Sequence, residues 1–107
     1  MATVTESDLN YVGSLGVDED LMDLAGLVPY EKILVSNVNN GERFETYVIP
    51  AQRGSGRICL NGAAARMGLK GDRVIIFSFA LLSEDEVGKF KPTVVVLSDN
   101  KPVKGPS

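Results

Sequence analysis

The sequence predicts a single, mainly β domain that closes into a small mixed barrel. Short β-prone runs recur between turn signals along the 107 residues, and only two short stretches have helical character. The chain length suits one domain, and no internal repeat suggests a second one. A helical bundle would need longer periodic segments, and a doubly wound sheet would alternate its strands with full helices.

The chain opens with a β-prone run and then turns helical. Thr3-Val4-Thr5 is the β-prone run, and Gly13-Ser14 has the composition of a turn. Residues 17–27, VDEDLMDLAGL, predict a helix because Asp18 can cap it and acidic residues fill its first turn. Gly26 is expected to end this helix.

A β-hairpin is expected next. Residues 32–38 and 43–49 are rich in β-formers, and Asn39-Asn40-Gly41 between them predicts a tight turn, since Asn and Gly tolerate positive φ. The remaining elements are less regular. They are a loop over 53–57, a short strand over 58–60, one or two helical turns over 61–68, a long buried strand from Arg73 to Leu82, a polar connection over 84–91, a strand over 92–99 and a frayed tail over about 98–107.

Composition excludes several function classes. The net charge of −3 and pI of about 4.8 provide no basic stripe for nucleic acid or an anionic membrane. The absence of histidine excludes Ser-His-Asp, Cys-His and His-based metal sites within the chain. The single Cys59 excludes an internal disulfide and is expected to be a small buried hydrophobe. With no long apolar span, the expected location is the cytoplasm.

Three short stretches are candidate sites, and each has a purely structural alternative. Asn61-Gly62 before three alanines can present free N–H groups to an anion, or can simply be a tightly packed helix start. Arg43 and Tyr47 share a strand face and can grip a carboxylate and move a proton, or can be a solvent-facing Arg beside a half-buried Tyr. Gly13-Ser14, by composition alone, is only a turn.

Taken together, the segments point to one family. VTESDLNYVGS, VDEDLMDLAG, NVNNGERFETYVI, RGSGRI, LNGAAAR and GDRVIIFSF follow one another in an order that resembles the pyruvoyl-dependent aspartate 1-decarboxylases. The resemblance runs from about Thr3 to about Lys91, and YxGS, NGxRFxTY and NGAAA are specific only in combination. It implies a six-stranded double-psi β-barrel with short helices, assembled as a homotetramer with active sites between neighbouring subunits.

The resemblance also implies that the chain cuts itself. Ser14 would attack the carbonyl of Gly13, leaving a small chain, 1–13, and a large chain, 14–107, headed by a pyruvoyl group made from Ser14. This covalent ketone, with no metal and no pyridoxal phosphate, would condense with the amine of L-aspartate and accept the electron pair released with CO₂. The product, β-alanine, would feed pantothenate and coenzyme A biosynthesis.

Further site roles are implied by matching motifs. Tyr47 would be the proton donor, Arg43 would hold a substrate carboxylate, and Thr46 would bind substrate or assist cleavage. Asn61 would polarise the site near the pyruvoyl group. The backbone of three small residues would line the substrate site: Gly62, Ala63 and Ala64.

The sequence differs from the family at its N-terminal end. Members carry about ten more residues before the segment that begins Ala2-Thr3-Val4, so a barrel edge is expected to be open here and a Lys and a His near the site to be missing. A late start codon, a trimmed chain and a real short variant all explain this. Two alternative functions therefore stay open, an impaired barrel of the same family that acts as an assembly or binding partner, and an unrelated barrel that serves as a binding module. A maturation helper protein also stays open.

Overall fold

The computed structural model describes residues 1–103 of the chain. They form a mainly β fold with a few short helices. The strands are β1 Ala2–Thr3, β2 Glu6–Asp8, β3 Ser14–Asp18, β4 Lys32–Asn37, β5 Arg43–Ala51, β6 Ile58–Asn61, β7 Arg73–Phe77, β8 Leu97–Ser98 and β9 Lys101–Pro102. The helices are α1 Glu19–Ala25, α2 Glu84–Val87 and the 3₁₀ helix Gly62–Met67.

One curled sheet carries the fold, as in a small double-psi β-barrel. Its seven strands run in the order β1-β7-β4-β5-β3-β6-β2. The two end strands, β1 and β2, are close in sequence, and the residues between them bond to both ends of the sheet: Val4 N donates to Asp72 O and Thr5 N to Ile58 O, each at 2.8 Å. Counted as one interrupted strand, β1 and β2 reduce the seven strands to the six that the sequence predicted.

The core lies inside this curl because alternate residues of the central strands are apolar and point inward. Leu15 and Val17 from β3 meet Val48 from β5 and Leu60 from β6, and all four are at most 3% exposed. The opposite face of the same three strands carries Ser14, Cys59 and other residues outside the core cluster. That opposite face holds the candidate site.

Helix α1 confirms the predicted caps. The Asp18 carboxylate accepts a hydrogen bond from Asp20 N at 2.9 Å, and Gly26 ends the helix in the left-handed region at φ 76°. The predicted hairpin is also present, as antiparallel β4 and β5. Its loop is held by the Asn37 side chain, which accepts from Asn39 N at 2.9 Å, and Gly41 supplies the positive φ.

Three strands, β2, β3 and β9, were not predicted, and two predicted strands are shorter in the structure. The sequence predicted a turn and a helix start where the structure has β3, and it gave no strand at β2. The predicted strand Arg73–Leu82 ends at Phe77 and is buried only at Val74. The predicted strand over 92–99 is reduced to Leu97–Ser98. The residues lost from these two predicted strands, 78–82 and 92–96, have strand-like sequences but pair with no strand in the described part of the chain.

The end of the chain also differs from the prediction. The polar connection over 84–91 contains α2, which begins with a capping box between Ser83 and Glu86. Within the segment that the sequence predicted to be a frayed tail, β8 and β9 pair around a turn whose Asn100 is buried. The rest of that tail, 104–107, lies outside the described residues.

An open edge borders the start of the chain. Strand β1 covers only Arg73 and Val74 of β7, and residues 75–77 pair on that side with no strand of the described chain. An apolar groove of about 540 Å³ lies between this edge and the segment 92–97. No helix formed by residues 1–103 is long and apolar enough to cross a membrane.

Candidate active site

Three neighbouring strands place one row of side chains across the sheet. Strand β3 lies between β5 and β6, and its Ser14 pairs with Asn61 of β6. On the other side Leu15 pairs with Val48, so continuing that register by one residue sets Ser14 level with Tyr47. In-register residues point to the same face of a sheet. Tyr47, Ser14 and Asn61 therefore form a row on the face opposite the core.

Ser14 is buried, and its hydroxyl makes two hydrogen bonds. It is 1% exposed, its Oγ donates to the carbonyl oxygen of Val12 at 3.1 Å, and it accepts from Asn61 Nδ2 at 3.1 Å. A hydroxyl with one proton and two lone pairs is thereby held in one orientation, with a lone pair still free. The peptide bond between Gly13 and Ser14 directly precedes this side chain in the sequence.

Gly62 brings the 3₁₀ helix against the segment that precedes Ser14. A Cβ at Gly62 would lie 2.6 Å from both Gly13 N and Tyr11 O, closer than any side-chain carbon tolerates. Its φ of +60° is also one that glycine adopts most easily. The predicted site residues Gly13 and Ala63 are neighbours as well, because a Cβ at Gly13 would lie 3.9 Å from Ala63 N. Ala64 is buried behind them.

Cys59 also belongs to this site, although the sequence predicted it to be only a small buried hydrophobe. It lies two residues before Asn61 on the same face of β6, and its Sγ donates to Asn61 Oδ1 at 3.0 Å. Burial raises the pKa of the Cys59 thiol, and the nearby Glu6 carboxylate acts in the same direction, so the proton stays on sulfur. The i, i+2 spacing of Cys59 and Asn61 was the available signal.

Tyr47 has an aromatic neighbour that the sequence prediction also missed. The ring of Tyr30 lies 5.9 Å from that of Tyr47, centroid to centroid, at a tilt of 36°. Tyr30 adopts φ 68°, unusual for a residue with a side chain, and its N donates to Val48 O at 2.7 Å. This bond ties the strained residue to β5 beside the row.

The other predicted residues of β5 are placed differently. Thr46 alternates with Tyr47 and so faces the core side, level with Gly13 if the β3–β5 register is continued. Arg43 is exposed and stands four residues from Tyr47, about 13 Å along a strand. Within one chain the structure brings Ser14, Asn61, Gly13, Gly62 and Ala63 together, sets Tyr47 alongside them, and leaves Arg43 apart.

The reactive group that the row offers is the Ser14 hydroxyl, which two hydrogen bonds hold in one orientation. Residues 1–103 contain no group of three or more acidic, cysteine or histidine side chains suited to a metal ion. Ser14 supplies the hydroxyl, the amide of Asn61 donates to it, and the backbone of Gly62 packs closely against the segment around Gly13. Such an arrangement can direct a hydroxyl at a neighbouring peptide carbonyl.

Comparison with known proteins identifies the family. A family model described as Aspartate decarboxylase matches residues 1–104. The aspartate 1-decarboxylase of Neisseria meningitidis serogroup C is 58% identical over 103 residues, which cover 96% of this chain and 81% of that protein. That of Bacillus subtilis strain 168 is 54% identical with the same coverage, and that of Leptospira biflexa is 57% identical over 92% of this chain and 85% of its own length. The chain therefore belongs to the aspartate decarboxylase family.

Proposed function

We propose that this protein is a self-processing enzyme that decarboxylates L-aspartate to β-alanine and CO₂, for pantothenate and coenzyme A synthesis. The observation that carries the proposal is the buried Ser14 hydroxyl, held by Asn61 next to a glycine-packed peptide bond. The names of the relatives supply the substrate, since each is an aspartate 1-decarboxylase. A cytoplasmic location is part of the same proposal.

Self-cleavage begins with a shift of the chain from nitrogen to oxygen. Ser14 Oγ attacks the carbonyl carbon of Gly13, its proton passes to the nitrogen of Ser14, and the peptide becomes an ester with a free amine. Loss of the Ser14 α proton then expels the carboxylate of Gly13, which ends the chain 1–13. The dehydroalanine left at residue 14 takes up water and releases ammonia, giving the terminal ketone of the chain 14–107.

The surroundings of Ser14 fit a pyruvoyl group formed in place. The residue is enclosed, Asn61 Nδ2 already points at its side-chain oxygen, and Gly62 leaves no side chain in the way. When present, the pyruvoyl group supplies an electron sink for the carbanion left by decarboxylation. Asn61 and the backbone of Gly62, Ala63 and Ala64 would hold it and the substrate.

The remaining roles fall to β5 and to the assembly. Tyr47, level with Ser14, is proposed to return a proton to the α carbon, and Thr46, level with Gly13, to assist cleavage. Arg43 is proposed to bind a carboxylate of aspartate. Because Arg43 lies about 13 Å along the strand from Tyr47, a neighbouring subunit of a homotetramer is the proposed source of the Arg43 that completes each site.

An intact-mass time course tests the proposal. The purified chain should split between Gly13 and Ser14, with a terminal ketone on the larger piece, and the product should release CO₂ from L-aspartate. Ser14→Ala should stay whole, while Ser55→Ala, a serine in an exposed loop, should split normally. If Ser14→Ala splits at the same bond, the proposed chemistry is wrong.

The same time course separates the alternatives. A chain that stays whole alone but splits after addition of cell extract needs a maturation helper. A chain that stays whole in both cases is the impaired barrel, acting only as an assembly or binding partner.

A further inference from the structure

The buried face of β6 carries a short relay of hydrogen bonds that ends on Ser14. Cys59 Sγ donates to Asn61 Oδ1 at 3.0 Å, Asn61 Nδ2 donates to Ser14 Oγ at 3.1 Å, and Ser14 Oγ donates to Val12 O at 3.1 Å. Ser14, Cys59 and Asn61 are 1%, 5% and 4% exposed, so water does not compete for these bonds. The relay has one direction, from the thiol to the carbonyl of Val12.

The direction of the relay depends on the orientation of the Asn61 amide. Its two ends differ, because Oδ1 only accepts and Nδ2 only donates. Reversing the amide would turn Oδ1 toward Ser14, where it would compete with Val12 O for the serine proton. The same reversal would point two N–H donors at sulfur, a weak acceptor.

The thiol decides between these two orientations. Because burial raises its pKa, Cys59 keeps its proton and needs an acceptor, which Asn61 Oδ1 provides. Gly16 pairs with Cys59 across the sheet and adds no side chain beside Cys59 and Asn61. A Cβ there would lie 3.4 Å from Cys59 Cβ and 3.7 Å from Asn61 Nδ2.

We propose that Cys59 is a positioning residue for self-cleavage, whose S–H fixes the Asn61 amide so that Nδ2 holds the Ser14 oxygen for attack on Gly13. This inference rests on the proposed function. Cys59 is chemically unchanged by the reaction and touches neither the broken bond nor the substrate. Its contribution is the orientation of the amide that does touch the nucleophile.

Three substitutions distinguish positioning from packing. Cys59→Ser keeps a donor, Cys59→Val keeps an apolar side chain of similar size, and Cys59→Ala keeps neither. If Cys59 only packs, Val should serve best and Ser worst, because burying a hydroxyl is costly. If Cys59 positions Asn61, the order reverses, with Ser the best replacement.

The experiment follows the fraction of split chain by intact mass, beginning with freshly purified protein, for the full-length chain and these variants. We expect Cys59→Ser to split within about 3-fold of the wild-type rate, and Cys59→Ala and Cys59→Val to be slower by about 10-fold. Ile58→Val, a truncation on the core face of the same strand, controls for stability and should split at the wild-type rate.

Failure of this inference differs from failure of the proposed function. Wild-type protein that splits while Cys59→Val splits equally fast would overturn the positioning role alone. Equal slowing of Cys59→Ser and Cys59→Val would also overturn it. Wild-type protein and all variants remaining whole, both alone and after addition of cell extract, would overturn the self-cleaving function and this inference with it.

Discussion

Gly62 shows how one backbone position holds the cleavage site together. Its missing side chain lets the 3₁₀ helix touch Tyr11 and Gly13, and its φ of +60° is unfavourable for most residues that carry a side chain. The contact is between main-chain atoms, so it cannot be relieved by rotating a side chain. Gly62 thereby fixes the peptide bond that Ser14 is proposed to attack.

We predict that Gly62→Ala slows self-cleavage by about 10-fold or more, because the added methyl must displace the segment around Gly13. The intact-mass time course measures this rate. Gly26→Ala is the matched control, since Gly26 has φ +76° but nothing within 4 Å of the added carbon. Equal cleavage rates in the two variants would mean that backbone strain, and not the contact with Gly13, explains any effect.

Tyr47 should act after cleavage and not during it. We predict that Tyr47→Phe splits at nearly the wild-type rate but turns over L-aspartate about 10²-fold more slowly or worse, because the proton donor is gone. Tyr30→Phe removes the hydroxyl of the neighbouring ring and should keep its turnover. Carbon dioxide release per split chain is the measurement, and normal release by Tyr47→Phe would reject Tyr47 as the donor.

The sequence revealed part of this site and missed the rest for physical reasons. Asn61 and Gly62 stood out because an Asn-Gly pair before three alanines can present free N–H groups at a helix start. Cys59 looked like a core residue because it lies in an apolar run, and the sequence does not show that its thiol donates to Asn61. Tyr30 was missed because its contact with Tyr47 depends on a loop whose left-handed backbone has no sequence signal in a tyrosine.

At the scale of the elements, the carboxylate of Asp18 accepts hydrogen bonds from both helix α1 and the loop before β6. Asp18 caps α1 through Asp20 N and also accepts from Gly54 N at 3.1 Å and Gly56 N at 2.9 Å. Burial by itself would raise the pKa of Asp18, but the three backbone N–H groups and the charge of Arg53 together outweigh it, and the net pKa is lowered. The ionised form of Asp18 therefore stabilises the fold.

This lowered pKa predicts a pH-dependent stability. A group with a depressed folded-state pKa contributes fully above its unfolded value and loses that contribution as the pH falls through the folded value. We predict that Asp18→Asn lowers the free energy of unfolding by about 1–3 kcal/mol at pH 7, since its amide turns an N–H toward a backbone N–H. The difference in free energy of unfolding between the wild-type protein and Asp18→Asn should become smaller below about pH 4.

Denaturant titrations from pH 7 to pH 3 measure that change. Asp85→Asn, in the exposed helix α2, removes the same charge away from any such network and serves as the control. A deficit of Asp18→Asn that stays constant over this range would contradict the role given to the ionised carboxylate.

Elements that depend on local signals were predicted, and elements that depend on partners were not. Helix α1 and the β4–β5 hairpin have caps and turn residues of their own, so their sequences were sufficient. Strand β3 contains Ser14 and Gly16, poor β-formers, and exists because β5 and β6 pair with it on both sides. The strand predicted to Leu82 stops at Phe77, where its pairing with β4 stops.

At the scale of the whole molecule, the C-terminal hairpin clamps the N-terminal strand. The buried Asn100 accepts from Thr3 N at 2.7 Å and donates to Thr3 O and Gly56 O, each at 2.8 Å. It sits at φ 57°, a conformation that asparagine tolerates well. One side chain thus joins the two ends of the chain and the loop before β6.

We predict that Asn100→Gly lowers the free energy of unfolding by about 1–3 kcal/mol, because the backbone conformation is kept but these hydrogen bonds are lost. Denaturant titration measures the change. Asp99→Gly is the matched control, since Asp99 lies in the same turn at φ 51° with an exposed side chain. Equal losses in the two variants would show that the turn, and not the clamp, is what matters.

The clamp has a consequence once the chain is cut. Residues 1–13 would then be a separate peptide that supplies β1 and β2, and its place in the barrel would depend on affinity instead of chain connectivity. The mature protein would hold two polypeptides in each subunit, so its melting temperature should rise more steeply with protein concentration than that of Ser14→Ala, because unfolding releases one more polypeptide per subunit. Before cleavage, chain connectivity keeps residues 1–13 at a high effective concentration beside the barrel. After cleavage, the bound fraction of this peptide would depend on its dissociation constant, to which the contacts of Thr3 and Val4, including that of Thr3 with Asn100, contribute.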